Sequence, residues 1–384
     1  GAAAMKVVRD WLRREAPRPV GRAWLERHAL PSLPPGKVTE VPFLNSDGMN
    51  SEMSQLHIGK ERFVLKRTPF DGKRHVDAAI QRWFEREVCF YRELAEFSPM
   101  RTPKSLAAVF HPPLLQLPSF LRDTLFGLRF RSAFGGGGFT LLLEDLNTAD
   151  GQWNVASPDG VSLPQAMTVM RSLGSMHGRF RDSPEIASAE ARWLPIMPST
   201  IQFLPFMEPF VAKALTSVRS EFSVELAQVP GALRLAEGAS QHYGALTRQL
   251  AAAPRTLVHG DFRPANMRFS QSDNEVIVYD WQFVSAGSGA FDIASFLALG
   301  MPAELRRSHE SELIDVYLKH HHDATGTKQL SNASLMQDMR AAVLLELAVF
   351  IMGAASEGAG GNPLFRKIHA HGIQQLSVAA SDWE

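Results

Sequence analysis

The sequence predicts an α+β fold with two lobes: an N-terminal lobe built on an antiparallel sheet and a mainly helical C-terminal lobe. The N-terminal part of the chain alternates short extended apolar segments with turns, whereas residues from 290 onwards have a nearly continuous helical pattern. The length of 384 residues also favours two lobes. We therefore predict a helical extension at 5–36, a first lobe at 37–143 and a second lobe at 144–384.

In the first lobe, apolar runs bounded by turns predict strands at 38–44, 51–58, 63–67, 106–110 and 139–143. Ile80, Phe84, Val88, Tyr91 and Leu94 recur at helical spacing and predict a helix at 76–97.

Residues 112–138 fit neither neighbouring strand, and we predict an inserted amphipathic helix. It has three readings: an ordinary surface helix, a lid over a substrate, or a membrane-surface helix with Phe and Leu on one side and Arg on the other. Because the helix is short, we favour the first two and expect no membrane contact through 118–131.

In the second lobe, apolar periodicity predicts helices at 164–180, 207–227 and 231–252, and short strands at 256–258 and 276–279. His177 lies on the apolar stripe of the first of these helices, and we interpret it as a core histidine.

The bulk composition excludes some functions. Lys+Arg and Asp+Glu both number 40, which argues against a nucleic-acid binder that relies on net positive charge. Cys89 is the single cysteine, so no intrachain disulfide is possible and a reducing compartment, the cytoplasm, is expected. Apolar runs are too short for a transmembrane helix. We expect a monomer or a homodimer.

Three polar residues follow short apolar strands in an order that suits phosphoryl transfer. Asp261 comes after Leu257-Val258, Asn266 follows five positions later, and Asp280 comes after the next strand. Phosphoryl transfer needs a carboxylate that accepts the proton of the attacking hydroxyl, and oxygen ligands for the metal ions that bridge the phosphates. We assign the base role to Asp261 and the metal-ligand role to Asn266 and Asp280. Two adjacent strands would place all three at one end.

Upstream residues suit the binding of a nucleoside triphosphate. Lys66 ends the strand Phe63-Val64-Leu65, where its ammonium can neutralise the non-transferred phosphates, and Glu87 on the next helix can fix that lysine. The turn between the first two strands occupies the position of a phosphate-covering loop. It is poor in glycine, so we assign its contacts to Ser46, Asn50 and Ser51.

The segment His259-Gly260-Asp261-Phe262-Arg263-Pro264-Ala265-Asn266, followed by Asp280-Trp281-Gln282, resembles the aminoglycoside phosphotransferase and choline kinase superfamily. Leu143-Glu144-Asp145-Leu146 resembles its ecdysteroid kinase-like branch, although Trp281 replaces the usual Phe. The resemblance implies a protein-kinase-like fold, ATP and Mg²⁺ as cofactors, and a small-molecule hydroxyl acceptor.

The resemblance also implies roles for individual residues. Residues 142–146 would be the hinge between the lobes, where Glu144 and Leu146 read adenine through backbone groups. Arg263 would contact the transferred phosphate, Asp292 would brace the catalytic loop by accepting backbone hydrogen bonds, and His259 would hold that loop.

Other interpretations are open. Taken singly, Lys66 and Glu87 are more readily read as a solvated charge and half of a surface ion pair. An inactive pseudokinase that binds nucleotide or acts as a scaffold is the main alternative, but the full set of expected polar residues favours an active enzyme. A protein kinase is disfavoured because Asp-Phe-Gly and Ala-Pro-Glu are absent. The apolar content of the second lobe favours a partly hydrophobic alcohol as the acceptor.

Overall fold

The computed structural model describes residues 19–29, 33–43, 51–68, 82–111, 138–147, 153–157, 159–198, 204–357 and 363–384. The chain forms two compact units. Among the described residues, the first unit consists of 19–97, 102–147 and 279–283, and the second consists of 98–101, 153–278 and 284–384. The predicted turn at 45–50, nearly all of the insertion 112–138 and the start of the N-terminal extension lie outside the described residues.

The first unit is built on a five-stranded antiparallel sheet in the order β1-β2-β3-β5-β4. Its strands are β1 (Val38–Pro42), β2 (Glu52–Ile58), β3 (Glu61–Arg67), β4 (Ser105–His111) and β5 (Gly138–Glu144). The hairpin β2–β3 pairs Ile58 with Glu61, so the turn is only two residues long. Gly59 in this turn has a positive φ of 64°, a conformation that favours glycine.

Two described helices accompany this sheet: α1 (Arg22–His28) and α2 (Trp83–Glu93), which is followed by a 3₁₀ turn at Ala95–Phe97. Trp24 and Leu25 of α1 are buried in one apolar cluster with Leu56 and Leu65 of the sheet. On α2, Phe84 stacks on Phe139 of β5 with ring centroids 4.6 Å apart. The predicted helix at 76–97 is confirmed over its described part.

The second unit is mainly helical. Its helices are α3 (Leu163–Phe180), α4 (Pro184–Glu190), α5 (Leu204–Glu221), α6 (Ser223–Ala227), α7 (Ala232–Gln241), α8 (Tyr243–Ala252), α9 (Ala290–Gly300), α10 (Ala303–Thr325), α11 (Asn332–Glu357) and α12 (Pro363–Asp382). The helices predicted at 207–227 and 231–252 are each divided in two. Their periodicity is right, but Phe222 and His242 leave the helical conformation at the junctions.

Local sequence explains how α3 begins and why it packs closely. Ser162 caps the helix by accepting a hydrogen bond from the backbone N–H of Gln165, whose side chain bonds back to the Ser162 backbone. A Cβ atom on Gly174 would lie 2.5 Å from the carbonyl oxygen of Tyr317 in α10, and one on Gly178 would lie 2.7 Å from that of His321. These two glycines therefore permit the close approach of α3 and α10.

Short strands form two small antiparallel sheets in the second unit: β6 (Trp153–Val155) with β8 (Met267–Ser270) and β9 (Val276–Val278), and β7 (Thr256–Val258) with β10 (Ser285–Gly287). The sequence predicted β7 and β9, which are almost wholly apolar, but not β6, β8 or β10, which are equally short and contain polar or small residues. The predicted α+β class, with an antiparallel sheet first and a mainly helical part afterwards, is confirmed. Within the described residues, no helix is both long and apolar enough to cross a membrane.

Candidate active site

In the second unit, the loop after β7 is held by a buried aspartate. Asp292 in the first turn of α9 is fully buried, and it accepts hydrogen bonds from the backbone N–H groups of His259 (2.7 Å) and Gly260 (3.0 Å). Gly260 has a positive φ of 83°, which allows the chain to turn sharply before Asp261. The predicted brace by Asp292 thus has the expected geometry.

Asp261 is fixed and kept charged by its neighbours. Its Oδ1 accepts a hydrogen bond from Nε of Arg263 at 2.7 Å, and its Oδ2 accepts one from Nδ2 of Asn266 at 2.9 Å. Burial by itself would raise the pKa of Asp261, but the guanidinium of Arg263 outweighs it, with help from His259 and Asn266, and holds the pKa below its usual range. Asp261 is therefore an oriented carboxylate near neutral pH, with 19% of its side chain exposed.

Asn266 closes the loop on itself. Its Nδ2 also donates to the backbone oxygen of Asp261 at 2.9 Å. Asn266 is the last residue of the 3₁₀ turn Pro264–Asn266, directly before β8. Both of these side-chain hydrogen bonds use the nitrogen, so the amide oxygen of Asn266 faces away from Asp261. An amide oxygen is a suitable ligand for a hard cation.

Behind this loop lies a buried polar chain that the sequence only partly indicated. His177 is fully buried, with Nε2 3.5 Å from Asp292 and Nδ1 3.0 Å from the hydroxyl of Tyr317. The interpretation of His177 as a core histidine agrees with this burial. Tyr317 was not foreseen, because α10 is distant in sequence from the loop.

In the first unit, Lys66 lies between two carboxylates. Its ammonium is 2.7 Å from Oε2 of Glu87 on α2 and 2.6 Å from Oδ1 of Asp280. The side chains of Lys66 and Glu87 are only 7% and 1% exposed, whereas that of Asp280 is 28% exposed. The reading of Lys66 and Glu87 as surface charges is therefore wrong.

Burial and charge act together on this triad. Burial by itself would lower the pKa of Lys66, but the carboxylates of Asp280 and Glu87 more than offset this effect and raise the pKa above its ordinary value. Burial raises the pKa of Glu87 to about 7, although the ammonium of Lys66 acts in the opposite direction. When both carboxyl groups are ionised, one ammonium between them leaves a surplus of negative charge, and Asp280 is the more exposed of the two.

Asp280 itself has an uncommon backbone conformation, with a positive φ of 67°. While Lys66 binds Oδ1, the side-chain amide of Gln282 donates to Oδ2 at 3.3 Å. The carboxylate is thus oriented from both sides. Donors on both oxygens of a part-exposed carboxylate prepare it to receive a cation.

Two residues of the predicted hinge, Glu144 and Asp145, use their side chains in hydrogen bonds. Oε2 of Glu144 accepts a hydrogen bond from the backbone N–H of Lys104 at 3.1 Å. Asp145 is buried and accepts hydrogen bonds from the side chain of Gln55 at 2.6 Å and from the backbone N–H of Asn147 at 2.9 Å. Leu146 is half-buried. Recognition of adenine by Glu144 and Leu146 stays a prediction, and the occupied side chain of Glu144 leaves its backbone for that role.

The residues predicted to cover the phosphates are only partly within the described part of the chain. Ser51 immediately precedes β2 and is buried. Ser46 and Asn50 lie outside the described residues. The nucleotide-loop assignment therefore stays a prediction for all three.

A buried glutamate in α11 was missed by the sequence analysis. Glu346 is only 4% exposed; its Oε1 accepts a hydrogen bond from the hydroxyl of Ser295 at 2.7 Å, and its Oε2 has no hydrogen-bond partner among the described residues. Burial raises the pKa of Glu346 to about 8, and the charges of Asp261 and Asp292 act in the same direction. Glu346 therefore lies within electrostatic range of the loop that carries Asp261.

The family to which the sequence is similar agrees with the residues found in the site. The model of the ecdysteroid kinase-like family matches residues 49–328. The chain belongs to this family. No individually curated protein has a significantly similar sequence.

Solved structures with a similar fold come from small-molecule phosphotransferases. A presumed aminoglycoside phosphotransferase of Ralstonia eutropha has a TM-score of 0.52 and 13% identity, over 94% of this chain and 97% of its own. A macrolide 2′-phosphotransferase type I has a TM-score of 0.48 and 15% identity, over 87% and 89% of the two chains. An ethanolamine kinase of Plasmodium vivax has a TM-score of 0.49 and 12% identity, over 89% and 82%. At 13% identity, the likeness to the first of these concerns the fold alone.

Within each unit, taken by itself, the oxygen donors suit magnesium better than zinc. Among the described residues, no group of three or more His, Cys, Asp or Glu side chains is placed to hold a metal ion by itself. Mg²⁺ is usually bound through one or two carboxylates together with water and substrate phosphates. In the first unit, Asp280, oriented by Lys66 and Gln282, is a donor of this kind. In the second unit, the amide oxygen of Asn266 is another.

Proposed function

We propose that this member of the ecdysteroid kinase-like family is an ATP-dependent kinase that phosphorylates an alcohol hydroxyl of a small molecule. The arrangement around Asp261 carries the proposal. A carboxylate held by Arg263 and Asn266, on a loop braced by Asp292, is oriented and charged at neutral pH. A group of this kind is needed to accept a proton from a hydroxyl.

In the proposed reaction, Asp261 orients the acceptor hydroxyl and takes its proton as the oxygen attacks the terminal phosphorus of ATP. The bond between that phosphorus and the bridging oxygen breaks, and ADP leaves. Arg263 is two residues from Asp261 and presents a guanidinium that can stabilise the negative charge on the transferred phosphoryl group. Arg263 would then divide its donors between the base and the phosphoryl oxygens.

The first unit supplies the groups that bind the triphosphate. Lys66, fixed by Glu87, can neutralise the non-transferred phosphates. Mg²⁺, when bound, neutralises phosphate charge, and Asp280 and Asn266 are the proposed ligands. The surplus negative charge of the Lys66–Glu87–Asp280 triad favours the binding of such a cation.

For the acceptor, we propose a partly hydrophobic alcohol of the steroid or macrolide type. The family name points to ecdysteroids, and the apolar composition of the helical unit is suited to such a molecule. The formal net charge of zero argues against a nucleic-acid partner that is bound through bulk positive charge.

The test is a phosphate-transfer screen with ATP and Mg²⁺ against a library of hydroxyl-bearing metabolites, read as a mass gain of one phosphate. For the acceptor found, Asp261→Ala should abolish turnover while ATP still binds. Asp159→Asn, at an exposed position, is the matched control and should leave turnover unchanged. Near wild-type turnover in Asp261→Ala would rule out the proposed base.

The same experiment separates the kinase from a pseudokinase. A pseudokinase would bind nucleotide without transferring phosphate to any acceptor or to water. Slow hydrolysis of ATP that depends on Mg²⁺ and is lost in Asp280→Asn would support the kinase, because water can replace the acceptor.

A further inference from the structure

Asp145, the first residue after β5, is a buried carboxylate held by neutral amides. It is only 1% exposed. Its Oδ1 accepts hydrogen bonds from the backbone N–H of Asn147 at 2.9 Å and from the side-chain amide of Asn147 at 3.2 Å, and its Oδ2 accepts one from Nε2 of Gln55 at 2.6 Å. Buried carboxylates commonly have a cation as partner. In the part of the chain that the structure describes, Asp145 has none, so its Oδ2 depends on Gln55.

The side chain of Gln55 reaches Asp145 across the sheet. Gln55 in β2 lies opposite Val64 in β3, which in turn lies opposite Leu143 in β5. Residues that lie opposite each other project from the same face of a sheet, as do residues two positions apart along one strand. Gln55 therefore shares a face with Lys66, whereas the other face packs against α1. The bond to Asp145 spans the face that carries the lysine proposed to bind the triphosphate.

Both ends of the Gln55 amide are used. Its Oε1 lies 2.8 Å from Nε2 of His57, the next residue on the same face of β2. A carboxylate oxygen only accepts hydrogen bonds, so Gln55 presents its nitrogen to Asp145 and its oxygen to His57, which then carries a proton on Nε2. Rotation of the amide would break both bonds. Gln55 is therefore a fixed donor to Asp145.

The segment fixed in this way includes a backbone group predicted to read adenine. The hydrogen bond from the N–H of Asn147 to the side chain of Asp145 closes a tight turn around Leu146. Arg62 of β3 holds the end of this turn by donating to the carbonyl oxygen of Asn147 at 3.2 Å. The N–H of Leu146 has no hydrogen-bond partner among the described residues. A backbone donor in a fixed turn is thus available to a ligand.

We propose that Gln55 is a positioning residue for the nucleobase: by holding Asp145 across the sheet, it fixes the turn at Leu146 so that the N–H of this residue donates to adenine. The inference rests on the proposed function and deepens it. Adenine has an acceptor nitrogen, N1, beside its amino group, whereas guanine has an N1–H donor at that place. A rigid backbone donor favours adenine, because guanine would bring two donors face to face. Gln55 itself does not touch the base in this scheme.

The experiment measures the affinities of non-hydrolysable ATP and GTP analogues, each with Mg²⁺, by titration calorimetry on the whole protein. Gln55→Met keeps the length of the side chain and removes both of its hydrogen bonds. It should weaken binding of the ATP analogue by about three- to tenfold, the range expected for one hydrogen bond, and change binding of the GTP analogue by less than about twofold. The ratio of ATP to GTP affinity should therefore fall. Tripolyphosphate with Mg²⁺, which has no base, should bind the variant and the wild type equally.

Ser54→Ala is the matched control. Ser54 is the neighbour of Gln55 in β2, on the opposite face, and its hydroxyl donates to the carboxylate of Glu40 at 2.9 Å. The control also loses a hydrogen bond to a carboxylate, so it should lower the thermal midpoint as Gln55→Met does. Its ratio of ATP to GTP affinity should stay within about twofold of the wild type, because the turn at Leu146 is unchanged.

Two further variants test the same bond. Asp145→Asn keeps the shape but turns an amide nitrogen towards that of Gln55, so the ratio should fall as in Gln55→Met; it replaces that variant if Gln55→Met does not fold. Gln55→Lys restores a long side chain with a donor for Asp145. It should recover most of the lost ATP affinity.

The outcomes are distinct. A lower ratio of ATP to GTP affinity in Gln55→Met and Asp145→Asn, with Ser54→Ala and tripolyphosphate binding unchanged, supports the positioning role. Variants that lose only stability, or that lose affinity for all three ligands alike, overturn it and leave the proposed function intact. A wild-type protein without preference for ATP does the same. A wild-type protein that binds neither analogue with Mg²⁺ refutes the proposed function, and the inference with it.

Discussion

Replacement of Glu346 by glutamine should make the stability of the second unit less dependent on pH. The carboxyl group is buried in the apolar helix α11, and its pKa is raised from 4.5 to about 8. In the unfolded chain the group ionises near its ordinary pKa, so the folded state binds the proton more tightly. The stability contributed by this group is fully present below pH 4.5 and is lost as the pH rises through 8.

The size of the effect follows from the shift. A shift of one pKa unit corresponds to about 1.4 kcal/mol, so the rise from 4.5 to about 8 lowers the free energy of unfolding above pH 8 by at most roughly 5 kcal/mol. Glutamine preserves the shape and can still accept a hydrogen bond from Ser295, but it cannot ionise. For a unit of this size, roughly 5 kcal/mol corresponds to a shift in the thermal midpoint on the order of 10 °C.

The assay is differential scanning calorimetry of wild type and Glu346→Gln between pH 5 and pH 9. The thermal midpoints of the two proteins should be similar near pH 5. As the pH rises, the variant should become progressively more stable than the wild type. Glu304→Gln, whose side chain is 87% exposed in the wild type, is the control and should show no such trend. A midpoint difference in Glu346→Gln that is the same at pH 5 and pH 9 would refute the reasoning.

Two further predictions concern the site itself. Lys66→Met leaves Glu87 and Asp280 without their cation; it should destabilise the first unit by about 3–5 kcal/mol and abolish measurable ATP binding, as followed by calorimetry and titration. Unchanged ATP affinity would contradict the assigned role. Asp292→Asn removes one of two acceptor oxygens, so one backbone N–H of the catalytic loop loses its partner at a cost of about 1–3 kcal/mol. Hydrogen exchange at His259 and Gly260 should accelerate, and unchanged protection there would show that Asp292 does not hold the loop.

Features encoded by local sequence were predictable. Apolar alternation located the strands of the first unit, and helical periodicity located the long helices of the second. The order Asp261, Asn266, Asp280 was informative because loop chemistry depends on close neighbours: Asn266 and Arg263 lie within five residues of Asp261 and bind it directly. The boundaries of short helices were missed because a few residues carry too little pattern. The strands β6, β8 and β10 were missed because, unlike the equally short β7 and β9, they contain polar or small residues and form no apolar run.

Contacts between distant segments were not predictable in the same way. Glu346 interrupts an apolar helix and would be read as a surface residue, since no local pattern indicates that Ser295 and the loop of Asp261 lie beside it. Tyr317 reaches His177 from a helix that is distant in sequence. In both cases the signal is tertiary packing, which a single sequence does not display.

The burial of the Lys66 triad is an argument for function over stability. An exposed ion pair contributes about 0–1 kcal/mol and is easily lost or gained. The ammonium and carboxylate of Lys66 and Glu87 are almost completely removed from water, which is costly enough that apolar residues of similar size would often stabilise the fold as well or better. Asp280 adds a second carboxylate, in an uncommon backbone conformation and partly open to solvent. The crowding of these charges and the uncommon backbone of Asp280 have no structural benefit of their own, and the proposed binding of a phosphate-bound cation would account for both.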